Sequence, residues 1–405
     1  MSTLADTPLA TDFPCLQREG IVYLDSSATS QTPQPVIDAM DDYYEHHRGT
    51  VHRSVYALAA EATELFEGAR DRIAAFVNWP ANCTIFTKNA TEALNLVAYS
   101  WGRANVGPGD RVVTTQLEHH SNFVPWHMLC EATGAQFEMV EVDDDAMLRL
   151  DELDELLATG TVKLVAVGHV SNAAGTVNDV AEVVRRAHAA GAIVVVDGSQ
   201  AVPQLPVDLG ALDADFYAWT GHKLYGPTGI GVLHGRKELL EAMPPFLGGG
   251  HMIASVSVDE IRWGQIPAKF EAGTSNIAEA IGLGAAVDFV SGIGMDTIRE
   301  HERDLCAYAL ERLAELPDIT VMGPTDAGNR GALVAFTLDI AHPHDVAEIL
   351  GSNDVCIRAG HHCAQPLMKR FGVAATSRAS FAVHNTRADV DALIDALDDV
   401  RRIFG

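Results

Sequence analysis

The stretch FYAWTGHKLYGP, residues 216–227, joins a hydrophobic run to a lysine and ends in a glycine–proline turn. Residues 216–220 predict a buried strand, since they are apolar or aromatic up to a final threonine. Lys223 follows that strand end at once, after a glycine and a histidine. A lysine held against a strand end, beside a hydroxyl and an imidazole, is typical of a site that fixes a ligand at one point.

A second hydrophobic run, residues 193–196, ends in Asp197. In open α/β sheets, ligands bind beyond the carboxyl ends of the strands. A lysine amine can bond covalently to pyridoxal 5'-phosphate (PLP), and an aspartate can keep the nitrogen of its pyridine ring protonated. Lys223 and Asp197 together therefore predict a PLP site.

The chain of 405 residues is longer than one hydrophobic core usually supports, so we expect two domains. Its composition, 47% hydrophobic and 20% charged, is typical of a globular protein. No apolar run reaches the roughly 18 residues of a membrane-spanning helix. Residues 1–14 contain acidic residues and no basic region, so we expect no signal peptide and a cytoplasmic protein without a membrane partner.

The net charge of −27 makes nucleic acid an improbable partner, because binding it requires a basic surface. Two explanations of the acidity stay open: the soluble surface of a protein from a GC-rich genome, or adaptation to high salt. The six cysteines contain no C-x-x-C pair, which argues against zinc ribbons and thioredoxin-type motifs. We expect most of them to be reduced core residues, with Cys363 as the exception.

Short apolar runs alternate with amphipathic stretches from about residue 84 to 235, which predicts βαβ units and a largely parallel sheet. Residues 229–234 predict a further strand that runs antiparallel to a neighbour. Strands and helices past residue 293 predict a smaller α+β domain. We therefore assign residues 20–292 to a large PLP-binding domain, and residues 1–19 and 293–405 to a small domain that carries Cys363.

Polar clusters follow five of the predicted strands, and parallel strands would bring them to one edge of the sheet. The backbone amides of Ala90 and Thr91, at a helix N-terminus, suit a phosphate group. Taken singly, each residue also has an ordinary explanation, such as a helix cap, a turn or a loop. The candidate cofactor ligands are Ala90, Thr91, Asn172, Asp197, Gln200, Thr220, His222 and Lys223.

Two adjacent histidines follow the second of these strands, and both cannot face the same ring. We expect His120 to stack on the cofactor ring and to move protons, because it is the later residue on the loop. His119 would then face elsewhere. A lone loop histidine is usually just solvated, so this choice depends on its neighbours.

Simple PLP chemistry does not require a segment such as RAGHHCAQP, residues 358–366. Two histidines and Arg358 around Cys363 would favour its thiolate form, and a thiolate is the nucleophile of sulfur transfer. The alternative is a metal site, since histidine and cysteine are zinc ligands. Adjacent side chains diverge, however, and we predict no metal here.

Arg378 opens a predicted strand of the small domain. An arginine can form a bidentate pair with the α-carboxylate of an amino acid, which would make it a substrate ligand. The ordinary alternative is a surface ion pair.

Together these residues resemble the cysteine desulfurases of the class V aminotransferase family. The matching segments are the lysine segment, DGSQ at 197–200, EHHSN at 118–122 and RAGHHCA at 358–364. The short cysteine segment is most similar to the SufS-type, or group II, enzymes. The resemblance implies PLP fold type I: an α/β large domain with a mostly parallel seven-stranded sheet, plus a smaller α+β C-terminal domain.

The resemblance also implies a reaction. L-cysteine would be held by Arg378 and Asn172, with Arg358 and His52 as further candidate substrate ligands. Lys223 and His120 would move protons, and Cys363 would attack the substrate sulfur and leave L-alanine. The catalytic residues would be Cys363, Lys223 and His120.

Two partners follow from the resemblance. Fold type I enzymes are usually homodimers, and Thr274 matches the residue that reaches the PLP phosphate of the other subunit. The sulfur would pass to a SufE-like or SufU-like acceptor protein for iron–sulfur cluster assembly, and residues 342–345 could contact a zinc-bearing acceptor. Selenocysteine lyase, cysteine sulfinate desulfinase and, in a different class, a zinc-binding interaction protein remain alternatives.

Overall fold

The computed structural model describes residues 9–405. Residues 1–8, which belong to the predicted small-domain segment and to the N-terminus expected to lack a signal peptide, lie outside the described residues. The strands are β1 (Val22–Tyr23), β2 (Thr84–Thr87), β3 (Arg111–Thr115), β4 (Gln136–Val140), β5 (Val162–Gly168), β6 (Ile193–Asp197), β7 (Phe216–Thr220), β8 (Gly231–Gly235), β9 (Ile253–Val256), β10 (Ile261–Trp263), β11 (Ile319–Met322), β12 (Leu333–Leu338), β13 (Val355–Cys356), β14 (Arg358–Gly360) and β15 (Thr376–Ser380).

The helices separate these strands in the alternation that the apolar periodicity predicts. They are α1 (Gln34–Asp42), α2 (Ala57–Phe76), α3 (Ala90–Val97), α4 (Arg103–Asn105), α5 (Val124–Thr133), α6 (Leu150–Leu157), α7 (Val180–Ala189), α8 (Leu209–Leu212), α9 (Lys237–Ala242), α10 (Ile277–Ile293), α11 (Met295–Ala314), α12 (Pro343–Ser352), α13 (Gln365–Phe371) and α14 (Arg387–Phe404).

The large sheet has seven strands in the order β2-β8-β7-β6-β5-β3-β4. All its pairs are parallel except those of β8, which is antiparallel to both β2 and β7. The predicted fold, a mostly parallel seven-stranded sheet, is confirmed, as is the reversed strand at residues 229–234. Because β8 alone is reversed among these seven described strands, the carboxyl ends of β2, β3, β5, β6 and β7 share one edge.

Both faces of this sheet are buried. Along β6, Val194 and Val196 belong to one apolar cluster, whereas Val195 belongs to the cluster on the other face. Side chains alternate across a strand, so the near-continuous valine run follows from helices that cover both sides. The site edge is therefore attached to a rigid, two-sided core.

The small domain is built on an antiparallel sheet in the order β11-β12-β15-β14. Its apolar core includes side chains of α11, α12 and α14. In the N-terminal segment, Leu9, Phe13 and Leu16 pack on the apolar cluster of the large sheet, and the ring of Phe13 also lies 5.3 Å from that of His384. By contrast, β1 pairs with β13, which lies in the predicted small domain, although residues 22–23 were assigned to the large domain.

Within residues 9–405, no single helix is long and apolar enough to cross a membrane. Helices α10 and α11 pass such a test of length and composition only as a pair, and they are bent by 76° at their junction.

Candidate active site

A cavity of about 240 Å³ is lined by residues that follow the ends of β2, β3, β5, β6 and β7, together with residues of the small domain. It collects most of the residues predicted from the sequence. Those that line it are Ala90, Thr91, Asn172, Asp197, Gln200, Thr220, His222, Lys223, Arg358, Cys363 and Arg378. His120, His52 and Thr274 do not line it.

Lys223 ends a tight turn, Gly221–Lys223, that follows β7 directly. The backbone N–H of Gly221 donates to the carbonyl of Ile230 at 2.9 Å, which ties the turn to the chain that enters β8. A Cβ at position 221 would lie 2.7 Å from Ile230, so the close approach requires glycine. Burial lowers the pKa of the Lys223 amine to about 8, and Asp197 opposes this effect. The amine is thus closer to its neutral, nucleophilic form than a free lysine.

One side of the cavity suits a phosphate group. Asn89 caps α3 by accepting from the N–H of Glu92 at 2.9 Å, and the first-turn N–H groups of Ala90 and Thr91 have no acceptor within the helix. The hydroxyl of Thr220 is buried and has no partner among residues 9–405. These groups are donors without an acceptor, as an anion site requires.

Asp197 lies at the end of β6, where its carboxylate accepts from the N–H of Ser199 at 3.0 Å. The next residue must be glycine, because a Cβ at Gly198 would lie 2.0 Å from the ring of Tyr217. Gln200 donates to the carbonyl of Ser27 at 2.8 Å, which attaches the N-terminal segment to this side of the cavity.

Asn172 lines the cavity and also makes two hydrogen bonds to the protein itself. Its side-chain N–H donates to the carbonyl of His362 at 2.6 Å, and its own carbonyl accepts from Arg378 at 2.8 Å. The side-chain amide thus supports the cysteine segment and the backbone carbonyl supports the arginine, while the second side-chain N–H and the side-chain oxygen stay available to a ligand.

The choice of His120 for the cavity needs correction, because it is His119 that lines it. The ring of His120 lies 5.5 Å from that of His361, beside the cysteine segment. Nδ1 of His119 accepts from the N–H of Ser121 at 3.1 Å, which leaves the proton of the neutral ring on Nε2. Burial, followed by the charge of Lys223, lowers the pKa of His119 to about 4, so the ring is neutral at pH 7.

Arg358 and Arg378 lie directly opposite each other on β14 and β15. Like charges in such a pair repel each other, and Asp25 offsets this by contacting both guanidinium groups, at 3.6 and 3.1 Å. Nε of Arg378 is buried and has no partner in the described chain. Two cations thus share one carboxylate. The net positive charge that remains can bind the carboxylate of a substrate.

Cys363 lies on the short segment between β14 and α13, and both it and His362 have left-handed backbones, with φ of 55° and 50°. Hydrogen bonds hold this segment. The carbonyl of Cys363 accepts from the N–H of His120 at 2.7 Å, and its N–H donates to His361 at 3.0 Å. The buried ring of His362 lies 3.0 Å from the hydroxyl of Thr376. Cys363 and Lys223 line the same cavity, Cys363 from the predicted small domain and Lys223 from the large one.

His52 and Thr274 lie apart from this cavity. Thr274 lines a second depression of about 180 Å³ together with Arg53 and His251. The ring of His52 stacks on that of His251, with centroids 5.2 Å apart. The structure thus places both residues at one surface of the chain, away from its own Lys223.

Sequence reasoning missed several residues of the site. Ser27 and Ala28 line the cavity from the N-terminal segment, while Glu118 and Ser199 line it from the strand ends. Glu118 and Ser199 carried a signal, since they belong to the same polar clusters as the predicted ligands. Asp25 follows the apolar residues 21–24, but only the tertiary structure shows that it contacts the two arginines.

These groups fit PLP. The cavity offers unpaired donors at a helix N-terminus for the phosphate, a carboxylate at a strand end for the pyridine nitrogen and a lysine amine in the same lining. Among residues 9–405 no group of three or more histidine, cysteine or acidic side chains is arranged as a metal site.

Comparison with known proteins decides the family. The profile of the aminotransferase class-V family matches residues 22–393, nearly the whole chain. The chain belongs to this family. The resemblance inferred from the motifs of residues 118–122, 197–200 and 358–364 is thereby confirmed at the level of the family.

Full-length relatives narrow the group. The chain is 50% identical to a probable cysteine desulfurase of Streptomyces coelicolor, over 99% of both chains. It is 46% identical to a cysteine desulfurase of Haloferax volcanii, and the match covers 98% of this chain and 97% of the relative. Among solved structures, the cysteine desulfurase CsdA of Escherichia coli superposes with a TM-score of 0.93 at 39% identity, over 100% of both chains.

This family member is an enzyme of the cysteine desulfurase group, as the sequence predicted, and PLP is its cofactor. A cysteine desulfurase of Thermococcus onnurineus has the same fold, with a TM-score of 0.93, 40% identity and 97% coverage of each chain. PLP fold type I is confirmed by these neighbours.

Proposed function

We propose that this protein is a homodimeric L-cysteine desulfurase of the SufS type. It converts L-cysteine to L-alanine and carries the released sulfur as a persulfide on Cys363. The observation that carries this proposal is that Cys363, Lys223 and the two arginines line one cavity. An ordinary aminotransferase has no use for a cysteine at this place.

The reaction balances without a further reactant. The C–S bond of L-cysteine breaks and an S–S bond to Cys363 forms. The proton that the Cys363 thiol loses is balanced by a proton that the β-carbon of the substrate gains. PLP supplies the electron sink for this chemistry when bound. Arg378 and Arg358 would bind the substrate carboxylate. The neutral His119 lies on the cofactor side of the cavity and takes the proton-moving role that the sequence assigned to His120.

Lys223 holds and moves the proton at the substrate carbon, since its lowered pKa lets the amine act as a base near neutral pH. Asp197 holds the proton of the pyridine nitrogen. Ala90, Thr91, Thr220 and His222 would bind the phosphate, Gln200 would help to hold the cofactor ring, and Asn172 would support the substrate side. Cys363 is the nucleophile that takes the sulfur.

The dimer is supported by the positions of His52 and Thr274. Both resemble site residues of the family, yet they lie at a surface away from the cavity. They join an active site if a second copy presents this surface to it. The side chains of Val55, Tyr56, Val256, Ile261 and Trp263 are apolar and exposed, which suits burial against another subunit.

A SufE-like or SufU-like acceptor and a place in iron–sulfur cluster assembly complete the proposal. The segment from His361 to Ala364 is short, which supports the SufS type. His342 and His344 lie at the start of α12, with ring centroids 5.1 Å apart, and are a candidate contact for a zinc-bearing acceptor. Acceptor-stimulated turnover that stays unchanged in both His342→Ala and His344→Ala would remove this contact.

The test of the function is a product assay. Holoenzyme is mixed with L-cysteine, and alanine and sulfide are measured with and without a reductant. We expect equal amounts of the two products with the reductant, and alanine without free sulfide at the first turnover in its absence. Selenocysteine and cysteine sulfinate are assayed beside it, and a higher kcat/KM for either of them would reassign the substrate.

A further inference from the structure

Glu118 is a buried carboxylic acid in the wall of the cavity, directly before His119. It forms no ion pair with a lysine, arginine or histidine of the described chain. Burial raises its pKa to about 7, against three hydrogen bonds that lower it. A buried carboxylate without a cation is costly, so hydrogen bonds must stabilise it at this position.

Three different elements donate to this one carboxylate. The hydroxyl of Thr115, at the end of β3, donates to Oε1 at 2.6 Å. The backbone N–H of Gly168, at the end of β5, donates to the same oxygen at 2.9 Å. The side-chain amide of Asn122, in the turn after His119, donates to Oε2 at 2.6 Å. Glu118 thus connects two strand ends to both sides of the turn that carries His119.

The direction of the hydrogen bond from Asn122 to Glu118 is fixed by a third residue, Trp126. The indole N–H of Trp126 can only donate, and it donates to Oδ1 of Asn122 at 3.0 Å. The amide of Asn122 must therefore turn its NH₂ toward Glu118. Residue 118 then needs an acceptor at both oxygens, a condition that glutamate meets. A glutamine has one oxygen and one NH₂, so its NH₂ would face either the NH₂ of Asn122 or the backbone N–H of Gly168. A flip of Asn122 would instead turn its NH₂ toward the indole N–H of Trp126.

We propose that Glu118 is a positioning residue that holds the ring of His119 against the cofactor side of the cavity. It acts through the turn from His119 to Asn122, because the ring of His119 has no hydrogen bond to a described residue outside that turn. Ser121 is its partner within the turn, at 2.7 Å from Nδ1. The proposal depends on the proposed function in one respect only, which is the role of His119 at the cofactor.

The bond directions give a sharp test. In Glu118→Gln we expect a kcat about 10- to 100-fold below wild type with little change in KM, because a mispaired buried amide displaces the turn. In the double variant Glu118→Gln with Asn122→Asp, acid and amide exchange places. The introduced glutamine would donate to the introduced aspartate, which would still accept from Trp126. Every bond would be restored at unchanged net charge.

We therefore expect the double variant to recover kcat and Tm toward wild type. The indole N–H resonance of Trp126, followed by NMR, should shift in the single variant and return in the double one. Glu131→Gln, the same exchange on the exposed face of α5, is the matched control and should change neither quantity. The inference is overturned if Glu118→Gln retains wild-type kcat, or if the double variant is no better than the single one.

If the single variant does not fold, the double variant alone decides: a folded, active double variant supports the exchange, and an unfolded one refutes it. Failure of the proposed function would look different. The wild-type enzyme would then release no alanine from L-cysteine, whereas the indole resonance and Tm would still report whether the bond pattern holds.

Discussion

Arg358 and Arg378 face each other across neighbouring antiparallel strands, with the carboxylate of Asp25 between their guanidinium groups. Burial lowers the pKa of Arg378, and Asp25 counteracts this. The arrangement concentrates two cations in the wall of the cavity that Cys363 also lines. It explains why the small domain, rather than the large sheet, would recognise the substrate carboxylate.

Replacement of Arg378 by lysine keeps the charge and removes the planar fork. We expect KM for L-cysteine to rise about 10- to 100-fold, because a charge-assisted bidentate pair is lost, with a smaller change in kcat. Alanine formation as a function of cysteine concentration measures this. Arg387→Lys, in an exposed ion pair with Asp304, is the control. Unchanged KM in Arg378→Lys and in Arg358→Lys would exclude both as substrate ligands.

The two adjacent histidines allow a paired test. His119→Gln should lower kcat by about 10²- to 10⁴-fold, the range for loss of a proton-handling group at the reacting atoms. His120→Gln should have a small effect, since its ring faces His361 outside the cavity. Steady-state kinetics of the two holoenzymes rank them. The opposite ranking would restore His120 as the cofactor-side histidine.

The thiol of Cys363 has a matched control in Cys356, which is partly buried in β13 outside the cavity. Cys363→Ala should lower sulfide release from L-cysteine by at least about 100-fold, because the nucleophile is gone. The visible absorbance of bound PLP should persist. Cys356→Ala should behave as wild type. Full desulfuration by Cys363→Ala would contradict the sulfur-transfer proposal.

The Lys223 amine predicts a pH-dependent stability of the apoprotein. Its folded pKa is about 8, below the ordinary value of 10.5, so between these values the unfolded state binds more protons and stability rises with pH. Replacement by methionine, which has a similar length and no charge, should stabilise the apoprotein by up to about 3 kcal/mol below pH 8. The gain should fade as the pH rises toward 10.5.

Denaturant melts of apo wild type and apo Lys223→Met at a series of pH values measure this difference. Asp197 stays in both proteins, but Lys223→Met also removes the attraction between this carboxylate and the amine, which offsets part of the gain. A constant difference across the whole pH range would show that the pKa of the amine does not change on folding.

The shared active site is testable with mixed dimers. If His52 of one copy serves the cavity of the other, a heterodimer of His52→Ala and Cys363→Ala contains one site with both residues intact. We therefore expect activity to return when the two weak or inactive variants are mixed and allowed to exchange subunits. Mass spectrometry of the heterodimer verifies that the subunits have exchanged. If activity does not recover after verified exchange, His52 lies outside the partner's site.

Much of the site follows from the sequence because parallel strands bring their carboxyl ends to one edge. Asp197 and Lys223 could be placed together on that ground alone, and both line the same cavity in the structure. The reversed strand β8 was also predictable, since the link from Lys223 to residue 229 is too short for a crossover helix.

Other features depend on geometry that no local pattern encodes. Which of His119 and His120 faces inward is set by the turn of His120–Asn122, which directs the second ring toward the cysteine segment. The amide of Asn172 serves the carbonyl of His362, 190 positions further along the chain. Residues 9–16 and β1 pack on different domains, and no shift in composition marks that crossing.

The left-handed backbone at both His362 and Cys363 has a consequence for anyone who would transplant this chemistry. An L-residue in that conformation costs about 1–2 kcal/mol, and two in succession persist only because surrounding bonds enforce them. A tripeptide HHC grafted onto another scaffold would relax and aim its sulfur along a different axis. What must be copied is the whole clamp: the donors from His120 and Asn172 and the contact of His362 with Thr376.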